Sequence, residues 1–314
     1  MRYLAIGGMT IDDVVLEDGT YHASVPGGNA LYSALGARLW SAGVGVMSFA
    51  GSDYPPAILE QLRASGIDVT LVARLEMQSV HLWVLYEPDG RRQIFYQQRS
   101  SHLGSLTRIA EDGFLRLRDT FPDVRAVHVA ALPVAVQAPI LRALSPLRLQ
   151  VTVDSIEAHG SVGGDLQAYR DRPVLRGTTA FLPSREEFDV LRGESPEDAA
   201  AWSLAGGDLG HVVVKQGRAG ATVYGLARRT TVSVPAYPVE VRDPTGAGDA
   251  FCGGFMVGMA ETNDPVEAAL RGAVSASFVI EAVGALHLLD VNPREAMSRL
   301  EALRRQRAAS GPAR

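Results

Sequence analysis

The stretch Arg242–Phe255, "RDPTGAGDAFCGGF", places a glycine-rich turn directly before an apolar run. Glycines allow successive backbone N–H groups to converge, and the apolar run predicts a helix that begins at the same point. The unpaired N–H groups and the dipole of such a helix attract anions, phosphate above all. On these residues alone, an anion site and a plain turn with Asp249 as the helix N-cap stay equally open.

The rest of the sequence narrows the kind of anion site. No P-loop pattern of glycine and lysine followed by serine or threonine is present, and Gly7-Gly8 lacks the third glycine of a dinucleotide fingerprint. A phosphate at this turn would therefore need backbone dipoles, arginine and a metal ion to balance its charge. Because a carboxylate repels phosphate, Asp249 needs a task of its own there, such as taking the proton of an attacking hydroxyl. We expect the helix N-terminus to keep Asp249 ionised at neutral pH.

The composition is that of a globular protein of 314 residues, of which 46% are hydrophobic and 21% charged. A net charge of -5 gives no electrostatic attraction to nucleic acid. The one cysteine, Cys252, excludes a disulfide framework, and acidic residues follow Met1 too soon for a signal peptide. No apolar stretch reaches the length of a membrane span. We therefore expect a cytoplasmic protein with neither nucleic-acid nor membrane partners.

Apolar runs that predict strands alternate with helical periodicity along most of the chain. Tyr3–Gly8 is such a strand, and Asn29–Gly43 is such a helix. This alternation predicts one α/β domain over residues 1–314, doubly wound, with a mainly parallel sheet flanked by helices.

Two segments, residues 12–24 and 79–100, break this alternation. The first has a turn at Asp18-Gly19, and the second reads as two alternating strands around Pro88-Asp89-Gly90. We expect the two segments to form one small antiparallel sheet, a lid over the substrate side. Since exposed strand edges need a partner, a homodimer joined through the lids is a further hypothesis.

The residues Asp243–Phe251, "DPTGAGDAF", resemble the signature of the ribokinase-like carbohydrate kinases, also called the PfkB family. Four other stretches resemble motifs of that family in the family's order: "AIGGMTIDD", "PGGNALYSALGARLWSAG", "LPSREEF" and "VVVKQGRAGATVY". The resemblance covers nearly the whole chain. It implies a doubly wound α/β core with a β lid, and transfer of a phosphoryl group from ATP, with Mg²⁺, to a hydroxyl of a small sugar or related polyol.

The resemblance also implies roles for the residues of the turn. Asp249 would be the catalytic base. Gly246, Ala247 and Gly248 would form an anion hole for the charge on the transferred phosphoryl group. Asp243 and Thr245 match positions that bind a monovalent cation such as potassium in many relatives. A turn stabilised by the aspartate side chain explains these two residues equally well.

A second group of residues matches the family's substrate side. The positions implied are Asp12, Gly27, Gly28 and Asn29. Tyr32 stands where the family often has asparagine, and both substrate contact and core packing stay open for it. Arg99, on the second lid segment, is a candidate for contact with an acidic or phosphorylated substrate, the alternative being a solvated arginine.

A third group matches the nucleotide side. Glu187 corresponds to the glutamate that organises magnesium and phosphate indirectly, and Ser184 replaces the family's asparagine. Ser184-x-x-Glu187 is also a capping box at a helix start. The other positions implied are Lys215, Gly217, Gly220, Ser277, Val283 and Gly284. For Lys215 the alternative is an ordinary solvated lysine at a strand end.

The identity of the substrate stays open. Several sugar-acid and fructose kinases of the family carry aspartate-x-asparagine-x-arginine on a central strand, whereas "VTVDSIEAHG" keeps only Asp154. This departure argues against those two specificities. A nucleoside kinase of the same fold is the alternative enzyme. A catalytically silent sugar-sensing protein is the alternative from another class, although a sensor does not need Asp249.

Overall fold

A computed structural model describes residues 1–87, 92–97, 106, 117, 119–155, 163–170, 173–204 and 209–309. The predicted turn at Pro88-Asp89-Gly90 and the candidate Arg99 lie outside these residues. Within them the strands are β1 (Tyr3–Ile6), β2 (Thr10–Val15), β3 (Tyr21–Gly27), β4 (Val44–Ala50), β5 (Asp68–Arg74), β6 (Val80–Tyr86), β7 (Arg92–Tyr96), β8 (Ala126–Val129), β9 (Gln150–Val153), β10 (Ala180–Phe181), β11 (His211–Lys215), β12 (Ala221–Gly225) and β13 (Thr230–Val234).

The helices follow the predicted alternation with these strands. They are α1 (Asn29–Arg38), α2 (Pro56–Ala64), α3 (Val134–Leu144), α4 (Gly163–Arg170), α5 (Arg185–Arg192), α6 (Glu197–Ser203), α7 (Ala247–Thr262), α8 (Pro265–Val279) and α9 (Pro293–Ala309). Among the residues described, no helix combines the length and the apolar character needed to cross a membrane.

The main sheet has nine strands in the order β13-β12-β11-β10-β9-β8-β1-β4-β5. All neighbours from β11 to β5 pair in parallel, whereas β12 and β13 pair antiparallel at one edge. This arrangement confirms the predicted mainly parallel α/β sheet. Because side chains alternate along a strand, β1 directs Tyr3 and Ala5 into one apolar layer with α1, α7 and α8, and Leu4 and Ile6 into a second layer with α3 and α5.

A separate sheet of four strands in the order β3-β2-β6-β7 confirms the predicted small second sheet. Its inner side has a small apolar core of Val14, Val84 and Tyr86. The prediction that this sheet is antiparallel is wrong at its centre, where β2 and β6 pair in parallel. The cause lies in the main sheet: β2 follows β1 and β6 follows β5, and two parallel strands send their continuations out of the same edge.

Candidate active site

The glycine turn forms the N-terminal end of α7. Gly246 precedes the helix with a left-handed φ of 74°. A Cβ atom at Gly246 would lie 2.2 Å from the ring of Tyr32, so the turn and α1 approach each other more closely than any side chain allows. The body of α7 is buried in the core, which fixes its first turn, Ala247–Asp249, at the end of the sheet. The predicted anion hole is therefore a helix N-terminus held in place by packing.

Asp249 lies in that first helical turn. Burial raises the pKa of Asp249 above its usual value, and the nearby Glu187 adds to this effect. The positive charges of Lys215 and Arg92 act in the opposite direction. A raised pKa suits a group that accepts a proton, because the carboxylate then binds a proton more readily than an exposed aspartate does.

Lys215 is not the solvated strand-end lysine that was one of its two interpretations. Its Nζ donates to Asp154 Oδ2 at 2.5 Å, and the two side chains are only 12% and 5% exposed. Burial alone would lower the pKa of Lys215, but the ion pair with Asp154 raises it above its usual value. Nζ also lies 3.5 Å from Cys252 Sγ on α7. The ammonium is thus enclosed between the end of β9 and the start of α7.

Asp12 forms the centre of a second buried polar group, on β2. It is 3% exposed, and its Oδ1 atom has no hydrogen-bond partner. The buried hydroxyl of Tyr54 also lacks a partner, and burial, helped by the charge of Asp12, raises the pKa of Tyr54. Burial raises the pKa of Asp12 to about 7, helped by Asp243 and Asp13. Unpartnered buried oxygens of this kind are suited to the hydroxyl groups of a polyol.

The glycines after β3 explain why Asp12 can be so buried. A Cβ atom at Gly27 would lie 1.9 Å from Asp12 Oδ2, so the backbone closes directly over the carboxylate. Gly28 continues this close approach toward the backbone of Gly8. The Asn29 side chain accepts from Gly8 N at 2.8 Å and donates to the Ala131 carbonyl at 2.6 Å. Asn29 therefore ties the ends of β1 and β8 together beside the predicted substrate position.

Tyr32 connects the two polar groups. It is buried, its ring packs on Gly246, and burial together with Asp243 and Asp12 raises its pKa. Both interpretations of Tyr32 are thus compatible with its position between Asp12 and the anion hole.

The loop before the anion hole is bound on two sides. Asp243 Oδ1 accepts from Thr245 N at 2.9 Å, and Oδ2 accepts from Gly284 N at 3.2 Å. The Thr245 hydroxyl shares a buried hydrogen bond of 2.8 Å with the hydroxyl of Tyr86 on β6. The aspartate-stabilised turn that was one interpretation of Asp243 is present. The lid sheet also contacts the anion-hole loop directly, through a tyrosine.

On the predicted nucleotide side, the capping box of α5 is present. Ser184 Oγ accepts from Glu187 N at 3.3 Å, and Ser184 N donates to Glu187 Oε2 at 2.7 Å. The buried Glu187 carboxylate also accepts from Ser155 Oγ at 2.5 Å. Glu187 is therefore fixed in orientation, and its charge acts on Asp249.

The remaining predicted nucleotide residues are more dispersed. Gly217 and Gly220 form the tight turn between β11 and β12, both with positive φ. Ser277 is buried in α8, where its hydroxyl donates to the Val274 carbonyl and accepts from Arg299. Val283 adjoins Gly284, which contacts the loop of Asp243. The structure thus places Lys215 and Glu187 near Asp249. Ser277 instead forms a hydrogen bond with Arg299 of α9.

Sequence reasoning missed two residues of this site, Arg92 and Tyr54, and the contact that a third, Asp154, makes. Arg92 lies opposite Tyr86 in the β6–β7 pairing and acts on the charge of Asp249. Tyr54 follows β4 and reaches Asp12, and Asp154 holds Lys215. One signal was available for the last two: both follow the carboxyl ends of predicted parallel strands, where α/β proteins bind ligands. The position of Arg92 needs the strand register, which the sequence does not specify.

A magnesium ion would find few protein ligands here. In the part of the chain that the structure describes, no group of three or more histidine, cysteine, aspartate or glutamate residues could hold a metal ion. Mg²⁺ commonly keeps several waters and binds through one or two carboxylates together with substrate phosphates. The two neighbouring carboxylates of Asp249 and Glu187 fit that second mode of binding and do not fit a protein cage.

Comparison with known proteins agrees with the fold. A putative ribokinase II from E. coli, solved in complex with ATP and Mg²⁺, has the same fold with a TM-score of 0.76 and 18% identity, over 96% of this chain and 99% of that one. The core is thus a ribokinase-like fold. Residues 9–291 match the sequence model of the pfkB family of carbohydrate kinases, and the chain belongs to that family.

Two relatives align over most of their length. The cytidine kinase of Thermococcus kodakarensis is 28% identical over 270 residues, which cover 85% of this chain and 91% of the relative. The ribokinase of Bacillus subtilis is 27% identical over 289 residues, covering 85% and 88%. Relatives within the family therefore include kinases of both a free sugar and a nucleoside.

Proposed function

We propose that this protein transfers the γ-phosphoryl group of ATP to a hydroxyl of a small sugar or related polyol. The observation that supports this most directly is the arrangement of two carboxylates on either side of Tyr32. Asp12 offers an unpartnered buried oxygen to a polyol, and Asp249 lies at the anion hole. Tyr32 contacts the anion-hole turn, and its pKa is raised by burial first and then by the charges of Asp243, Asp12 and Asp249.

In the proposed reaction Asp12 and the Tyr54 hydroxyl orient the acceptor. Asp249 takes the proton of the acceptor hydroxyl, whose oxygen attacks the γ-phosphorus. The bond from that phosphorus to the β–γ bridging oxygen breaks, and ADP leaves with the electron pair. The N–H groups at Gly246 and Gly248 stabilise the charge on the transferred group, and that of Ala247 joins them once it leaves the Pro244 carbonyl, to which it donates at 3.3 Å. Arg92, brought by the lid, adds a positive charge on the same side.

Magnesium would neutralise charge between the β- and γ-phosphates. We propose that Glu187 holds this ion through its water shell, because the capping box fixes the carboxylate beside Asp249. Asp243 and Thr245 are the candidates for a monovalent cation at the anion-hole loop.

A nucleoside is the second candidate acceptor. The match to a cytidine kinase over 91% of that protein's length favours it. A ribose presents the same vicinal hydroxyls whether it is free or attached to a base, so the Asp12 group suits both. The choice between them depends on surroundings that bind, or exclude, a base.

A screen of ADP release tests the proposal. Purified protein with Mg·ATP is offered pentoses, hexoses, sugar acids and nucleosides, and binding of each is followed in parallel by thermal shift. We expect turnover with at least one acceptor, reduced about a hundredfold or more in Asp249→Asn, which controls for contaminating kinases. Acceptors that bind without any turnover would instead identify a sugar-sensing protein.

A further inference from the structure

Tyr96 on β7 is the most exposed large apolar side chain of the residues that the structure describes, at 60%. The strand register decides on which side of the lid it lies. Tyr96 lies opposite Leu82 of β6, and Leu82 lies opposite Asp12 of β2. Residues directly opposite each other in paired strands carry their side chains on the same face of the sheet. Tyr96 is therefore on the inner face of the lid, in one row with Leu82 and Asp12.

The row opens gradually from Asp12 to the edge of the sheet. Asp12 is closed off by the backbone of Gly27, Leu82 is half-buried against the apolar core of the lid, and Tyr96 is exposed. Neighbouring strands lie about 4.8 Å apart, so the backbone of Tyr96 is about 10 Å from that of Asp12. A group attached to an acceptor at Asp12 would thus pass over Leu82 and end against the Tyr96 ring.

The direction of β7 indicates which end of an acceptor meets Tyr96. At the other end of this strand, Arg92 lies opposite Tyr86, whose hydroxyl shares a hydrogen bond with Thr245 of the anion-hole loop. Tyr96 is four residues further along, about 14 Å away at about 3.4 Å per residue. The strand therefore runs from the anion-hole end of the lid to the row of Asp12.

A nucleoside matches this arrangement in shape. In its ribose the base is attached to the anomeric carbon, and the arm of the primary hydroxyl is attached to the carbon on the other side of the ring oxygen. When the primary hydroxyl points to the anion hole, the base points away from it. With the two remaining hydroxyls at Asp12, the base is then directed along the row of Leu82 and Tyr96.

We propose that Tyr96, together with Leu82, holds the base of a nucleoside whose ribose binds at Asp12. Tyr96 is then the residue that selects a nucleoside over a free sugar. An aromatic ring stacks on the flat face of any base, whereas a free polyol offers no such face. The inference rests on the proposed phosphoryl transfer and decides between its two candidate acceptors.

Three variants and one base-free ligand test the proposal. Tyr96→Ala removes the ring, and Tyr96→Phe keeps the ring without its hydroxyl. Phe95→Ala is the matched control, because Phe95 is the next residue of β7, is 49% exposed and lies on the outer face of the lid. Adenosine, inosine, cytidine and uridine are compared with methyl β-D-ribofuranoside, which has the same ribose ring and no base. Binding is measured by calorimetry without ATP.

We expect the parent to bind at least one of the nucleosides about tenfold or more tightly than the methyl riboside, the usual contribution of one stacked base. Tyr96→Ala should lose this preference and keep the parental affinity for the methyl riboside. Tyr96→Phe and Phe95→Ala should keep the preference. A parent without the preference, or a Tyr96→Ala variant that retains it or that loses affinity for both ligands equally, would overturn the proposal.

Kinetics with Mg·ATP provide a second test. In Tyr96→Ala the KM for the nucleoside should rise about tenfold with kcat unchanged, because Tyr96 contacts the base and not the reacting atoms. A fall in kcat at unchanged KM would contradict the assignment. If the parent phosphorylates no acceptor, the proposed function fails, while the calorimetric comparison still decides whether Tyr96 holds a base.

Discussion

Opposing effects act on the pKa of the Asp249 carboxylate. The N-terminus of α7 and the charge of Lys215 favour its ionised form, whereas burial and Glu187 favour the neutral form. From the sequence we expect the helix N-terminus to keep Asp249 ionised. In the structure the pKa is raised, because a helix terminus acts on an exposed carboxylate but does not replace the water that a buried one loses. Asp249 therefore binds a proton more tightly than an exposed aspartate does, at the helix end proposed as the anion site.

The first prediction concerns this base. Asp249→Asn keeps the size of the side chain and cannot accept a proton. We expect kcat to fall about a hundredfold to ten-thousandfold, the usual contribution of a positioned general base. Nucleotide affinity, measured by calorimetry, should be equal or higher, because a charge that repels phosphate is gone. A variant that keeps more than about a tenth of parental turnover would show that Asp249 is not a general base; the structure already excludes the N-cap interpretation, because Gly246 is the N-cap of α7.

The second prediction concerns Asp12. With a folded-state pKa of about 7, Asp12 binds its proton more tightly than an unfolded aspartate, whose pKa is about 3.9. Between these two values the unfolded state ionises first, so this residue lowers stability as the pH rises through that window. Asp12→Asn should therefore raise the melting temperature at pH 8 more than at pH 4.

The same variant should weaken acceptor binding, because an amide accepts fewer hydroxyl groups than a carboxylate. Asp13→Asn is the matched control, since Asp13 is partly exposed and its pKa is lowered, chiefly by the Ser24 N–H and Gln97 against the effect of burial. Thermal melts across pH and acceptor titrations measure both effects. Equal melting-temperature gains for Asp12→Asn at both pH values would contradict the assignment.

At the scale of elements, the lid sheet and the anion-hole loop are joined by one buried hydrogen bond. Tyr86, at the end of β6, reaches Thr245 two residues after Asp243. A strand of the lid therefore contacts the loop that we propose stabilises the charge on the transferred phosphoryl group. Movement of the lid on acceptor binding would be transmitted to that loop by this contact.

The third prediction follows from this contact. Tyr86→Phe leaves the Thr245 hydroxyl buried without its partner, at a cost of about 1–3 kcal/mol in the free energy of unfolding. Because the anion-hole loop is then less well placed, kcat should fall on the order of tenfold. Tyr96→Phe, on the exposed part of the same sheet, should change neither quantity. Denaturant unfolding measures the first quantity and steady-state kinetics the second. A Tyr86→Phe enzyme with parental kcat would show that this contact with the lid does not position the loop.

The fourth prediction concerns the cation proposed at this loop. Both carboxylate oxygens of Asp243 accept backbone N–H groups, of Thr245 and of Gly284, so the loop has order of its own. The carboxylate and carbonyl oxygens of this loop are suitable ligands for potassium. If potassium binds there and orders the loop further, kcat should rise with the potassium concentration. The measurement compares potassium with a large organic cation at matched ionic strength. Equal rates in the two salts would contradict a cation site, and Asp243 would then only stabilise the turn.

The elements that the sequence predicts well are those specified locally. Apolar strands, helical periodicity and the glycine turn of Gly246–Gly248 each depend on neighbouring residues, and all are present. What the sequence does not contain is register and distant pairing. The Lys215–Asp154 bond joins residues 61 positions apart, and the parallel pairing of β2 with β6 depends on where β1 and β5 lie in the main sheet. Arg92, not predicted, enters the site through such a register.

At the scale of the whole molecule, the parallel sheet explains why distant residues meet. The ends of β9 and β11 bring Asp154 and Lys215 to one edge, and β1 continues into the strand that bears Asp12. Ligands of α/β proteins bind at the carboxyl ends of the strands. The lid strands leave from the same edge. The small sheet is therefore placed over the site by the topology of the large one.

The last prediction concerns the outer side of the lid. Tyr21 on β3 stacks on Trp83 with ring centroids 5.6 Å apart, and Phe95 lies opposite Trp83 on β7. Tyr21 and Phe95 are 52% and 49% exposed, although aromatic side chains of this size gain most by burial. The two strands that bear them are the edges of the sheet, where unpaired backbone groups invite a partner. We therefore predict that two copies of the chain associate through their lids.

Light scattering at micromolar concentration should give the mass of a dimer for the parent and of a monomer for Phe95→Glu. The charge would be buried without a partner at the interface, which is strongly unfavourable. Val190→Glu is the matched control, since Val190 is 53% exposed on α5, away from the lid sheet, and should leave the dimer intact. A parent protein that is monomeric at this concentration would refute the lid dimer.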